Sequence, residues 1–311
     1  MGFGFQAAGY HLSASKGHKT MDRQTQSVTD IFPKISRREL LAALTMVTAA
    51  AGLGGCASTP EGLSADRISL PDGKLPPAPV QMAQSGPPDT GYAPPADYVM
   101  KTPYRRPTAH PAVARGALGI IPRSAWALAG PNMRTIQPMN GVNLITFHHS
   151  GDPQPFLDDS IEGTAHYLEA IREWQVRQGF EDIAYHFAND RMGRIWQLRS
   201  LQYRGEHVRD GFAAPRWLDQ YVQWKNSPTH PVNGRYIWNA HNIGIVTLGN
   251  FMIQEPTIYQ KRRIVEFGRL VRTLYQIPIY HCYTHQELVA TLCPGKIYQP
   301  YMEYIRRDGL M

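Results

Sequence analysis

The stretch THQELVATLCPG, Thr284 to Gly295, sets His285 and Cys293 eight residues apart, directly before Pro294 and Gly295. Imidazole and thiolate are both zinc ligands. A catalytic zinc keeps three protein ligands and one open position, whereas a structural zinc takes four, often from paired cysteine motifs. The chain has three cysteines and no CxxC pair, which argues against a zinc finger. The third ligand must come from elsewhere, and FHHS at Phe147 to Ser150 offers two adjacent histidines. Side chains alternate along a strand, so one of His148 and His149 faces the metal, and the pattern alone does not choose between them.

Two other arrangements compete for the same residues. Cys293 and Cys282 could form a disulfide, the ordinary fate of two exported cysteines. His281 and His285 have the i, i+4 spacing of helical zinc sites. That motif needs a general-base glutamate, which is missing here, and the preceding IPIY is β-prone. With ligation, Cys282 becomes a small buried apolar residue.

The elements around these residues read as α/β. NLITFHH is a strand, and Ser160 to Gln178 carries Leu168, Ile171 and Trp174 at helical spacing before Gly179. AYHFAND and RIWQL flank a turn and form a hairpin, and NIGIVTLGNF is a central buried strand. A helix follows Pro256, with Ile264, Phe267, Val271 and Leu274 on one face. IPIYHCY is a short strand and Ile297 to Arg307 a last helix. This alternation predicts a single mixed β-sheet flanked by helices. Trp174 and Trp196 are assigned to the core.

The first part of the chain has a different texture. SRREL precedes a short apolar run, Leu40 to Gly55, that closes on LGGC at Leu53 to Cys56. It is short for a membrane span and reads as an export signal (residues 1–56) with Met21 as a candidate start. The arginine pair resembles a twin-arginine signal, and the LGGC stretch resembles a lipobox whose Cys56 becomes lipidated. Ala57 after it points to the outer membrane, so the expected location is the periplasm, lipid-anchored. Between Pro60 and Pro111 lie 12 of the chain's 25 prolines, which predicts an extended spacer over 57–116. The folded domain is expected over 117–311. A net charge of +7 suits an acidic wall or membrane surface, and with no Lys/Arg run no nucleic-acid partner is expected.

FHHSG, IREWQVRQGFEDIAYHFAND, GRIWQLR, GEHV, NAHNIGIVTLGNF and HQELVATLCPG, with IPRSAW before them, occur in one order. This order resembles the zinc N-acetylmuramoyl-L-alanine amidases, the family of phage T7 lysozyme and animal peptidoglycan recognition proteins. The likeness covers about residues 117 to 308. It implies that fold, and zinc (Zn2+) held by His148, His285 and Cys293, with His149 turned away. It implies catalysis by Tyr185, and places His207 and Asn239 near the substrate groove, where Trp238 is also assigned. Some relatives have a lysine where Thr291 stands, so Thr291 takes the helper position. The resemblance implies hydrolysis of the bond between N-acetylmuramic acid and L-alanine in peptidoglycan or muropeptides by a monomer. The alternative is a non-catalytic peptidoglycan-binding lipoprotein.

Overall fold

β1 (Leu144–His149), β2 (Phe187–Asn189), β3 (Ile195–Gln197), β4 (Asn242–Thr247) and β5 (Cys282–Thr284) make one sheet of order β3-β2-β4-β1-β5. The computed structural model describes residues 31–32, 36, 38–39, 93–95, 97–101, 103–104, 118–139, 141–208 and 238–311. Strand β1 runs parallel to β4 and β5, β2 runs parallel to β4, and only β3 is antiparallel, paired with β2. Parallel neighbours need crossovers that cover the sheet, so β1 and β4 are buried along their whole length.

Helix α1 (Ile161–Arg177) begins where the Ser160 hydroxyl accepts the Gly163 amide at 2.8 Å. It ends at Gly179, whose φ of 95° is open to glycine at little cost. Helix α2 (Ile258–Tyr275) starts in a capping box between Thr257 and Gln260. Two further helices follow β5, the single turn α3 (His285–Leu288) and α4 (Tyr298–Arg307). One difference from the sequence reading lies before β5. Ile279–His281 is a 3-10 turn, and the strand is only Cys282–Thr284. Pro278 removes a backbone donor there and favours a turn over an extended ladder.

The two faces of the sheet bury different cores. On one, Ile145, Phe147, Phe187, Ile243, Ile245 and Cys282 meet Phe267 and Val271 of α2 and Met302 and Ile305 of α4. On the other, Tyr185, Ala188, Trp196 and Val246 meet Ala165, Leu168 and Ile171 of α1. At one end of this second face, Leu144, Tyr283, Trp238, Leu288 and Val289 form a smaller cluster.

Two segments outside 117–311 join this domain. Ile31 and Phe32 are fully buried in the first core, where Phe32 stacks on Phe187 at 5.9 Å. Processing at Cys56 would therefore remove two core residues. The described residues 93–95, 97–101 and 103–104, expected as part of an extended spacer, instead dock along α1. The Tyr98 ring meets Trp174 edge-on at 5.2 Å, and the Lys101 amide donates to Glu173 at 2.8 Å. Tyrosine supplies the physical reason. It buries a large apolar ring while keeping its hydroxyl bonded, which proline-rich sequence alone cannot do. Cys56 and the candidate start Met21 lie outside the described residues. Among the described residues, no helix is long and apolar enough to cross a membrane.

A largely buried ion pair ties α4 to the end of β5. Arg306 donates to both carboxylate oxygens of Glu287, at 2.8 and 2.5 Å, and to the Cys282 carbonyl at 2.7 Å. Glu287 also accepts the Thr284 amide at 2.6 Å, immediately before His285. Truncating Arg306 to Ala strands this carboxylate. The expected cost is about 3–5 kcal/mol in a urea unfolding titration, typical of one lost partner in a buried pair.

Candidate metal centre

Parallel pairing of β1 and β5 brings the histidines together. Phe147 lies opposite Thr284, so the next residues, His148 and His285, leave the carboxyl ends of adjacent strands side by side. Their rings are 4.6 Å apart. Ligand sites of open parallel sheets lie at this carboxyl edge. Cys293 arrives from the loop after α3. That loop is closed by the Gln286 amide donating to the Cys293 carbonyl at 2.8 Å. Gly295 makes the turn possible, because a Cβ there would lie 2.5 Å from the Phe251 carbonyl carbon, and its φ is 96°. The His149 amide donates to Cys293 Sγ at 3.4 Å, which fixes the thiol against the end of β1.

The ligand atoms of His148, His285 and Cys293 all lie within 4.8 Å of one another, and Cys293 Sγ is 3.6 Å from His148 Nδ1. Ligand bonds of 2.0–2.3 Å around a tetrahedral ion imply edges of about 3.3–3.8 Å. The Cys293–His148 separation matches one such edge, and the three groups are close enough to converge on a single ion. His149 points to the opposite face, where its Nδ1 accepts the Phe251 amide at 3.2 Å. Strand alternation thus assigns the inward position to His148. Cys282 and Cys293 are both free thiols, and Cys282 sits in the core with its thiol pushed up to about 12 by burial.

The hydrogen bonds behind His148 determine which of its nitrogens is available. His207 Nε2 lies 3.1 Å from the Asn242 carbonyl, which can only accept, so this nitrogen carries the proton. His207 Nδ1 must then accept from His148 Nε2, 3.1 Å away. That leaves the lone pair of His148 on Nδ1, the atom facing Cys293. Burial holds His148 well below the ordinary histidine range, reinforced by His285 and His207, and takes His285 and His207 down to about 3. All three rings are neutral at pH 7, as ligation requires.

Tyr185 lines the cleft above the site, with its ring 5.1 Å from that of His148. The Thr291 hydroxyl accepts the Cys293 amide at 3.2 Å, so its visible contact shapes the loop that carries the thiol. Three residues assigned to the groove are placed differently. His207 is completely buried behind His148, seated where a Cβ on Gly205 or Gly244 would come within 2.4 Å of its ring. Asn239 clamps the Val208 backbone through both its amide atoms, at 3.1 and 2.5 Å, and so steadies the neighbour of His207. Trp238 has no exposed surface and packs with Leu144 and Tyr283. His207 and Asn239 thus support the site from behind, whereas Trp238 packs at the start of β1, at the end of the strand opposite His148.

Sequence reasoning missed Trp174 and Asp152, which both line the cleft. Trp174 fitted the helical core pattern equally well. Asp152 shares its Oδ2 between the Tyr167 and Ser150 hydroxyls, and burial raises its pKa. No spacing rule links those three residues.

His207→Ala frees the His148 ring to turn. Zinc affinity should fall about 10- to 100-fold, the usual effect of losing an outer-shell partner, in competition with a chromogenic chelator.

Residues 138–296 match the family model described as N-acetylmuramoyl-L-alanine amidase. A peptidoglycan-recognition protein of Drosophila simulans is 30% identical over 189 residues, spanning 58% of this chain and 84% of that protein. An N-acetylmuramoyl-L-alanine amidase of Sus scrofa is 24% identical over 183 residues, 58% of this chain but only 26% of the pig protein. Among solved structures, wild-type Drosophila PGRP-LB superposes with a TM-score of 0.44 at 20% identity, covering 59% of this chain and 90% of that one. With the family model spanning just over half of its length, the chain belongs to the N-acetylmuramoyl-L-alanine amidase family.

Proposed function

We propose that this protein is a zinc-dependent amidase that hydrolyses the bond between N-acetylmuramic acid and L-alanine in peptidoglycan or its fragments. The observation that carries the reading is the convergence of two buried neutral imidazoles with the thiol of Cys293, which itself lines the adjoining cleft beside Tyr185. A zinc ion in a three-ligand site supplies an activated water and a Lewis acid for an amide carbonyl.

The chain's own groups do the rest. His148 Nδ1, His285 and Cys293 would hold the ion, and the His207–Asn242 relay keeps His148 from rotating. The Tyr185 hydroxyl is the donor for the carbonyl oxygen of the lactyl group as charge develops on it. Water adds to that carbonyl carbon and the C–N bond breaks. The L-alanine nitrogen leaves as an amine after taking a proton. Low solvent access at the cleft floor strengthens each of these polar contacts.

Peptidoglycan recognition without cleavage is the second reading, favoured by the likeness to the 30%-identical recognition protein. The intact ligand set, Cys293 included, favours the enzyme. The proposal also includes export and lipid anchoring at Cys56, at the periplasmic face of the outer membrane, with Ile31 and Phe32 leaving the core on processing. Support for this is the short apolar run that ends in LGGC.

Digestion of purified peptidoglycan should release free stem peptides beginning with L-alanine, seen by mass spectrometry and suppressed by a chelator. Binding without release would favour recognition alone. Cys293→Ala should lose both zinc and turnover. Tyr185→Phe should keep stoichiometric zinc, measured by atomic absorption, yet lose about 10²–10³ in rate, the usual effect of one missing oxyanion donor.

A further inference from the structure

The cleft above the metal centre, about 540 Å³, is not built by the amidase domain alone. Its polar side comes from Ser150, Asp152 and Asn250. Its apolar side comes from Trp174 together with Ala93, Pro94 and Pro95, which lie more than forty residues before the stretch matching the family. Ala93 and Pro94 are buried in this position.

A series of contacts along α1 holds this segment as a strap. The Tyr98 hydroxyl donates to Glu173 at 3.2 Å, beside the Lys101 amide, and the Arg177 guanidinium sits 5.1 Å from the Tyr98 ring centre. Farther along, the Tyr104 hydroxyl donates to the Trp126 carbonyl at 3.2 Å, and its ring lies 5.3 Å from that of His166. Prolines stiffen the stretch over the cleft, since each fixes φ. The anchors are partly exposed and made of single hydrogen bonds and ring contacts, so the strap is held without being part of the core.

We infer that this strap is a specificity-determining wall, which restricts the cleft to soluble muropeptides and excludes glycan strands embedded in intact wall. The inference rests on the amidase reading and names its substrate class. Pro94 and Pro95 narrow the cleft on the side of Trp174, and a cleft of this volume accepts a ligand of a few units rather than a continuous polymer. The amphipathic lining suits such a fragment, with apolar ring faces and alkyl groups against Trp174 and the prolines, and amide or hydroxyl groups toward Asp152 and Asn250.

The test compares the full chain with Tyr98→Ala and with Glu173→Ala, which remove the same anchor from opposite sides and leave the metal ligands and Tyr185 in place. Hydrolysis of a soluble disaccharide-tetrapeptide and of intact sacculi is measured for each, together with pelleting on sacculi and calorimetric binding of the soluble fragment. The expected result is a preference of tenfold or more for the soluble fragment in the native chain. Both variants should raise hydrolysis and pelleting on sacculi about tenfold, with melting temperature and zinc content unchanged. Equal preference in the native chain, or variants whose ratio of sacculus to fragment does not move, would overturn the proposal. If neither substrate is cut, the amidase reading fails, and the two binding measurements still decide the wall: an unchanged binding ratio rejects it, a shift toward sacculi supports it.

Discussion

The site depends on the parallel register of two short strands. Because Phe147 pairs with Thr284, His148 and His285 emerge from the same edge at the same height. A shift of one residue would turn His148 to the opposite face and bring His149 inward, because side chains alternate with period two. Burial on both faces prevents that shift. Ile145 and Phe147 belong to the core under α2 and α4, while Leu144 packs with Tyr283 on the other side. Packing of the core and placement of two ligands are therefore the same constraint.

The third ligand obeys a different logic. Cys293 lies on a loop, yet it is held as firmly as the strand residues, by the His149 amide on its sulfur and by Thr291 and Gln286 on its backbone. Behind the ligands, β4 contributes twice. Its Asn242 carbonyl orients two histidines in series, and its Gly244 leaves the space one of those rings occupies. A buried histidine pair would be costly if either ring were charged. Depressed proton affinities remove that cost and leave a lone pair where a metal can use it.

The cleft has a polar wall belonging to the domain and an apolar wall partly borrowed from the segment before it. That segment is proline-rich, and proline-rich chain generally stays extended. Tyr98 and Tyr104 change the outcome locally, because each has a ring to bury and a hydroxyl to satisfy against α1 or the Trp126 carbonyl. Burial of Ile31 and Phe32 in the opposite core makes the same point about the first part of the chain. Composition describes an average over a stretch, and docking is decided by the few side chains that depart from it.

Much of the molecule was legible beforehand for a physical reason. Hydrophobic periodicity and capping residues are local, so β1, β4, α1, α2, α4 and the β2–β3 hairpin could be read from the chain, as could the pairing of an imidazole with a thiol at His285 and Cys293. The inward turn of His148 required the resemblance, and the structure supplies its cause in strand alternation. Tertiary structure alone decided the rest. His207 backs His148 and Asn239 holds the neighbouring Val208, while Trp238 packs against Leu144, placements set by how distant segments meet. Trp174 fits the helical core pattern and also borders the cleft, and only the packing around α1 reveals that it does both. Side-chain direction at a sheet edge and the return of a distant segment over a cleft are long-range relations, and no local spacing encodes them.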